Sequence, residues 1–251
     1  MWPSLVINLA DNTRRMENSA TALTAQGLPF ERIEAVNGWQ MDEAEVVQVY
    51  DAAANRRRAR HPLVRPEIGC YLSHIAAWER IAEAEAAGGF VFEDDFQAGD
   101  DLAAVLGLLS QDSGSDWDMV KLFSFDRAPK CVRRRALDRA HELVIPYRVP
   151  TCLIGYGLTR DAARHLAARA RPFFRPVDED QKFFWETGLR VALVLPPPVS
   201  VGDQQTVTGT IGKARRSAGE AGGLARFWRG LRYQAHYRAA LHWHRARGTG
   251  S

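Results

Sequence analysis

Six short apolar runs recur along the first 195 residues, and five stretches of different character separate them. The runs are residues 4–9, 30–36, 90–92, 119–125, 153–158 and 191–195, each of strand length. Helical spacing or composition fills residues 11–26, 41–54, 67–87, 102–109, 161–170 and the end of 176–186. Apolar strands alternating with helices predict an α/β fold whose mainly parallel sheet is covered by helices on both faces. In such folds ligands bind beyond the carboxyl ends of the strands, so residues that follow a strand directly are the first candidates for chemistry.

Local signals set the boundaries. Asp11 or Asn12 is the expected cap of the first helix and Gly27 its stop, and Asn37-Gly38 closes the second strand. Ile68, Tyr71, Leu72, Ile75, Trp78, Ile81 and Ala82 give residues 67–87 the clearest helical period, with Gly88-Gly89 as its end. Five arginines, His61 and two prolines make residues 55–66 read as a loop, and residues 128–150 read as an irregular or β-hairpin insertion. There is no internal repeat.

With 46% hydrophobic residues among 251, the chain can bury a sizeable core and is not disordered. It has no apolar stretch of about 18 residues, and its first 15 residues lack the pattern of a signal peptide. Cys70, Cys131 and Cys152 are odd in number and widely spaced, which suits a reducing compartment. The expectation is a soluble, cytoplasmic protein. Its net charge of +3 is unevenly placed. Residues 213–247 carry nine Lys or Arg against Glu220 alone, a segment charge of +8 that leaves the rest at −5.

Glu93-Asp94-Asp95 directly follows the apolar Phe90-Val91-Phe92. Three adjacent carboxylates at a strand end are stable when a hard cation such as magnesium or manganese neutralises them, and such a cation bridges to phosphates. A solvated turn before the next helix is the plainer alternative. Within Pro176-Val177-Asp178-Glu179-Asp180 one carboxylate can act as general base, or the acids simply complement a helix dipole. His74 on the strong helix reads by itself as a packed residue, and Arg14 and Arg15 as a solvated face or a phosphate contact. No GxGxxG, GxxxxGK[ST] or GxSxG occurs.

The basic tail interleaves aromatics: Leu224, Phe227, Trp228 and Leu231 fall at helical spacing with Arg226, Arg229 and Arg232 between them. An amphipathic helix on an anionic membrane, a nucleic-acid surface and a helix packed on the body all fit this pattern.

In sequence order the chain carries Val6-Ile7-Asn8-Leu9 with Arg14-Arg15, the stretch FERIEAVNG at residues 30–38, and Glu67-Ile68-Gly69-Cys70-Tyr71-Leu72-Ser73-His74 with Trp78. Phe92-Glu93-Asp94-Asp95, then Gly155-Tyr156 with Thr159-Arg160-Asp161-Ala162, and finally Pro176-Val177-Asp178 complete the set. Together, over roughly residues 5–195, these resemble the bacterial lipooligosaccharide glycosyltransferases of family 25, relatives of the collagen hydroxylysine galactosyltransferases.

The resemblance implies a GT-A type, Rossmann-like transferase domain over residues 1–212. It implies an inverting reaction that moves a sugar, most often galactose from UDP-galactose, with Mn2+ or Mg2+ as cofactor. Glu93-Asp94-Asp95 becomes the DxD-like element: Asp95 and Glu93 are the expected metal ligands, and Asp94 and Asp95 join Asp178 as catalytic acids. Asp178 matches the family motif as base, with Glu179 and Asp180 as rivals. Asn8, Leu9, Arg14 and Arg15 are expected to line the nucleotide pocket, and Ser73 and His74 to lie near the donor sugar or diphosphate.

Two departures concern the acceptor side. Thr151-Cys152-Leu153 stands where the family often carries a small Gly-rich lead to Gly155-Tyr156, and the family's later serine-isoleucine ending is only echoed by residues 208–211. The acceptor implied is a lipid-linked surface glycan, whose phosphates the arginines of residues 55–65 can meet. With it, residues 213–247 are expected to bind the inner face of the cytoplasmic membrane, with no nucleic-acid partner. Gly248 to Ser251 read as a cloning remnant. The competing classes are a metal-dependent nucleotidyl- or phosphotransferase and a basic nucleic-acid-binding module.

Overall fold

A computed structural model describes residues 1–112, 116–202 and 223–248, with the side chains of residues 223–226 left out. The echo at residues 208–211, residues 213–222 of the tail and nearly all of the expected cloning remnant lie outside the described residues.

The chain folds as an α/β protein around one eight-stranded sheet. Its strands are β1 (Ser4–Asn8), β2 (Phe30–Glu34), β3 (Gly88–Glu93), β5 (Met119–Lys121), β6 (Cys131–Ala136), β7 (Glu142–Pro146), β8 (Gly155–Thr159) and β9 (Val191–Leu195). They lie in the order β2-β1-β3-β8-β5-β9-β7-β6. Six share one direction and β7 and β8 oppose them, so the sheet is mixed with a parallel majority. A short strand β4 (Phe96–Ala98) continues β3 out of this sheet and pairs with β10 (Val199–Val201).

The pleat divides the strand side chains between two cores. Leu5, Ile7, Val91, Met119 and Tyr156 face helix α4 (Arg65–Glu83) and helix α6 (Arg160–Arg169). Val6, Phe90, Phe92 and Val120 face α1 (Thr13–Ala25) and α5 (Leu102–Gln111). Burying both faces explains why the strands read as continuous apolar runs.

Helix α4 approaches the turn after β2 backbone to backbone. A Cβ on Gly69 would stand 2.4 Å from the Val36 carbonyl oxygen, so the two glycine-bearing segments of residues 30–38 and 67–74 fit only as they are.

Three boundary expectations need correction, and the insertion at 128–150 takes the β-hairpin form offered for it. The helical stretch 41–54 is two helices, α2 (Glu43–Val49) and α3 (Ala52–Arg58), because Tyr50 leaves the helix to bridge Phe173 and Asp51 starts a new cap on the Ala54 N–H. The arginines at 56–58 therefore close a helix and do not form a loop, in keeping with their good helix propensity. Gly88-Gly89 begins β3, where a Cβ on either would strike the Trp2 or Ile81 side chain. The insertion at 128–150 is the β6–β7 hairpin, which completes one edge of the sheet.

The acids at 178–180 lie in α7 (Val177–Asp180), which is followed by one 3-10 turn and α8 (Phe184–Thr187). The last helix, α9 (Gly223–Ala246), packs on this segment. Its seam is Tyr233, Tyr237 and Leu241, all buried, with the Tyr rings edge-on to Phe183 and His244 stacked on Trp185. Of the expected apolar stripe, Phe227, Trp228 and Leu231 are 61, 63 and 50% exposed and stand outside that seam, and the side chain of Leu224 lies outside the described residues. Among the described residues no helix is long and apolar enough to cross a membrane.

Candidate active site

The three acids after β3 part company because strand side chains alternate. Val91 belongs to the α4 core, so Glu93 emerges on that side, and its Oε1 lies 3.3 Å from His74 Nε2. Asp94 turns toward α1, where its carboxylate accepts from Asn8 Nδ2 (2.7 Å) and Arg15 Nη1 (3.0 Å). Asp95 sits at the bend between the two sheets, and its buried Oδ1 has no hydrogen-bond partner among the described residues. Burial, with Glu93 close by, pushes the Asp95 carboxyl up to about 6. Burial also raises Asp94, against the pull of Asn8 and Arg15.

Glu93 is held by a relay. Trp78 Nε1–H donates to the Tyr156 hydroxyl at 2.8 Å, and that hydroxyl is 2.8 Å from His74 Nδ1. In the arrangement that uses every donor, Tyr156 O–H donates to Nδ1 and Nε2–H donates to Glu93. His74, Trp78 and Tyr156 are all buried, so this chain fixes a carboxylate at the cleft from deep inside the core.

Cys70, one turn before His74, completes a group of potential ligand atoms of Cys70, His74 and Glu93 within 4.8 Å of one another. The thiol is a poor member: burial and the acids Glu93 and Asp178 hold its pKa well above the ordinary range, and only the thiolate ligates. Oxygen donors suit a hard divalent cation, and Glu93 and the unpartnered Oδ1 of Asp95 are of that kind.

On the other side of Glu93 opens a cavity of about 260 Å³, bordered by Glu67, Cys70, Phe125, Thr151, Cys152 and Asp178. It lies at the ends where β1, β3 and β5 finish and β8 begins, since Ile7 pairs with Glu93 and Phe92 with Gly155. Asp178 accepts the Cys152 N–H on Oδ2 at 3.2 Å and the Glu179 N–H on Oδ1 at 2.8 Å. Cys152 has a φ of 74°, a left-handed conformation that favours glycine. That is where the resemblance led one to look for a Gly-rich lead.

Lys121 accounts for the strained turn. Its side chain is fully buried at the end of β5, and its ammonium donates to the carbonyl of Pro150 at 2.9 Å and to the carbonyl of Cys152. Burial lowers its pKa to about 8.

The two rivals of Asp178 are occupied elsewhere. Asp180 accepts from Tyr71 Oη at 2.6 Å and pairs with Arg175, which also pairs with Glu186. Glu179 accepts from Tyr233 Oη on α9 at 3.1 Å. Of the three acids, only Asp178 borders the cavity.

The structure thus brings Asn8, Arg15 and Asp94 into one cluster, and Glu93 and Asp178 around the adjoining cleft, with His74 buried behind Glu93. Leu9 directly follows β1, half-buried, and Arg14 is exposed on α1. Ser73 stands apart: it is buried, donates to the Gly69 carbonyl and accepts the Val36 N–H, so both its bonding roles serve the α4–β2 junction. Sequence reasoning missed Lys121, Cys152 and the relay through Tyr156. A lysine inside an apolar strand was the one available signal for Lys121.

Residues 1–180 match the family described as glycosyltransferase family 25 (LPS biosynthesis protein). Human inactive glycosyltransferase 25 family member 3 is 28% identical over 184 residues, covering 69% of this chain and 30% of that protein. Mouse procollagen galactosyltransferase 2 is 25% identical over 190 residues, covering 69% and 29%, respectively. Procollagen galactosyltransferase 1 of Danio rerio is 29% identical over 188 residues, covering 69% and 30%. The chain therefore spans under a third of the length of these curated relatives. The match covers both acid segments, Glu93 to Asp95 and Asp178 to Asp180, and on that match the chain belongs to glycosyltransferase family 25.

Proposed function

We propose that this chain is an inverting, UDP-sugar-dependent galactosyltransferase that acts on a hydroxyl of a lipopolysaccharide-type surface glycan. The observation that carries the reading is that Asp178 and Glu93 border one cleft, with the Asn8–Arg15–Asp94 cluster directly behind Glu93. The galactose donor rests on relatives named procollagen galactosyltransferases, and the glycan acceptor on the family's description as an LPS biosynthesis protein.

Inversion needs one displacement. The acceptor oxygen attacks the anomeric carbon, the bond from that carbon to UDP breaks, and the hydroxyl proton passes to the Asp178 carboxylate. The Cys152 N–H holds that carboxylate at the cleft wall through the pocket's own backbone. Arg15 and Asn8 face the nucleotide side, and the Tyr156–His74 relay keeps Glu93 between the two halves. Glu93 and Asp95 would hold a divalent cation, Mn2+ or Mg2+, which would supply charge neutralisation for the departing diphosphate.

The test is thermal stabilisation by UDP with and without Mn2+, followed by UDP release from UDP-galactose, UDP-glucose and the N-acetyl sugars. Stabilisation that needs both UDP and metal and is lost in Asp95→Ala supports the reading. Pyrophosphate or phosphate release in place of UDP would favour a nucleotidyl- or phosphotransferase. A folded chain that ignores UDP belongs with the relatives named inactive.

The site of action follows as part of the same proposal. The exposed stripe of Phe227, Trp228 and Leu231 is free to enter the interfacial layer of an anionic bilayer, which would seat the enzyme on the inner face of the cytoplasmic membrane.

A further inference from the structure

Two basic segments that lie some 170 residues apart meet in the fold. The carboxyl end of α3 leaves carbonyls without helical partners, and α9 supplies them. Arg229 donates to the carbonyls of Asn55 and Ala59, and Arg232 to those of Arg56 and Arg57. Those bonds explain how α9 docks. They leave the charges in place, because a carbonyl is neutral.

Between the two segments lies a cavity of about 140 Å³ whose rim carries Arg57, Arg58, Arg175, Arg229 and Arg232, with His236 beside them. Glu186 is the acid on that rim, and it already pairs with Arg58 and Arg175. Asp180 holds Arg175 from behind. Glu186 and Asp180 answer Arg58 and Arg175, which leaves at least the charges of Arg57 and Arg232 around one small opening. Arg57 and Arg232 form no ion pair among the described residues.

Like charges gathered on a concave surface focus a field that draws in an anion. Guanidinium forks match phosphate oxygens in pairs, which ammonium groups do not. The cavity is smaller than pockets that enclose drug-sized ligands, so it can enclose a phosphoryl group but not a whole nucleotide. None of its residues borders the Asp178 cleft. Residues 177–187 contribute Val177 and Asp178 to that cleft and Phe183 and Glu186 to this cavity.

We propose that the cavity between α3 and α9 is a binding site for a phosphomonoester, separate from the donor site. Its ligand chemistry is a terminal phosphoryl dianion. That group occurs on a membrane lipid headgroup and on a phosphorylated sugar.

The experiment uses the full chain. Inorganic phosphate is titrated with thermal stabilisation as the readout, on wild type, Arg57→Glu and Arg164→Glu. Arg57 has an exposed side chain, so its replacement leaves the fold intact, and Arg164→Glu makes the same charge change on α6. The expected result is saturable stabilisation, at least tenfold weaker in Arg57→Glu and unchanged in Arg164→Glu. Stabilisation that is absent, unsaturable, or equal in the two variants overturns the proposal, and phosphate bound in the donor cleft would fall in that last class.

Two further probes assign the source. Loss of flotation in Arg57→Glu that is confined to phosphatidylcholine vesicles containing phosphatidic acid, with flotation on phosphatidylglycerol vesicles unchanged, would identify a lipid headgroup. Binding of glucose 6-phosphate that is sensitive to Arg57, with flotation on both kinds of vesicle unchanged in Arg57→Glu, would identify a sugar phosphate.

Discussion

The backbone N–H of Cys152 donates to Oδ2 of Asp178 across 26 residues of sequence, at 3.2 Å. The candidate base is therefore oriented by a main-chain group in a left-handed turn, and the turn is held from below by Lys121. Asp178→Asn keeps the shape and an acceptor oxygen but cannot take a proton. Its expected effect is a loss of about 100- to 10,000-fold in kcat with UDP affinity unchanged. UDP-release kinetics and calorimetry check this, and a loss under fivefold would remove Asp178 as base. Asp180→Asn, by contrast, should act on stability, because one amide oxygen replaces the two carboxylate oxygens that serve Tyr71 and Arg175, and buried Arg175 loses a countercharge.

Lys121→Met separates positioning from folding. Orphaning two carbonyls costs about 1–3 kcal/mol each, but the variant also removes the desolvation cost of a buried ammonium, so the two effects largely offset. The variant should fold, within about 2 kcal/mol of wild type, and lose about tenfold in kcat as the 150–152 turn drifts from Asp178. Adding Cys152→Gly should restore part of that loss, because glycine adopts a positive φ without support. No recovery in the double variant would show that Lys121 does not act through this turn.

Asp95 gives a pH signature with a defined sign. Its carboxyl is raised from 3.8 to about 6 in the folded chain, so between those values the folded state holds a proton that the unfolded state has released. Without metal, stability then falls as pH rises from about 4 to about 6, by about 3 kcal/mol at most, and levels off above. Asp95→Asn should lack that slope, and Mn2+ should stabilise wild type more strongly above pH 6 than below it. Urea midpoints from pH 4 to 8 measure both, and parallel curves for wild type and variant would contradict the assignment.

The fold was legible because its information is local. Apolar runs such as Phe90-Val91-Phe92 mark buried strands, and the period of Ile68, Ile75, Trp78 and Ile81 marks one helix face. The acids were visible for the same reason, being consecutive after a strand. What stayed hidden depends on three-dimensional meeting. Nothing in residues 178–180 says that Asp180 goes to Tyr71 and Glu179 to Tyr233, leaving Asp178 at the cleft. Ser73 shared a motif with His74, yet one helical step turns it to the Val36 N–H. Which rings of the tail pack on the body stayed open for a related reason: they occur on more than one face, and Phe183 and Trp185, far away in sequence, select Tyr233, Tyr237 and His244.

Tyr156→Phe tests the relay behind Glu93. The change removes one oxygen and leaves Trp78 Nε1–H and His74 Nδ1 without their shared partner in a buried site. The expected cost is about 2–4 kcal/mol, from two unsatisfied groups at about 1–3 kcal/mol each with some relaxation. A freed imidazole no longer aims Nε2 at Glu93, so Mn2+-dependent UDP binding should weaken as well. Denaturant unfolding and calorimetry separate the effects, and full UDP affinity in a destabilised variant would confine Tyr156 to packing.

The last helix packs on the body through one set of residues, and the membrane contact proposed for another set can be tested separately. Tyr233, Tyr237 and Leu241 close the core over Phe183 and Trp185, so replacing Leu241 with Ala should cost about 2–5 kcal/mol as a buried truncation. Phe227, Trp228 and Leu231 lie outside that seam with at least half their surface in solvent. Replacing all three with Ser removes far less buried area per residue, so unfolding should shift by less than about 2 kcal/mol in total. Flotation with anionic vesicles should nevertheless be lost, because interfacial binding scales with the apolar area that enters the bilayer. Retained flotation in the triple variant would show that the stripe is not the membrane contact. Arginine charge alone would then be the remaining attraction, and raising the salt concentration should abolish binding.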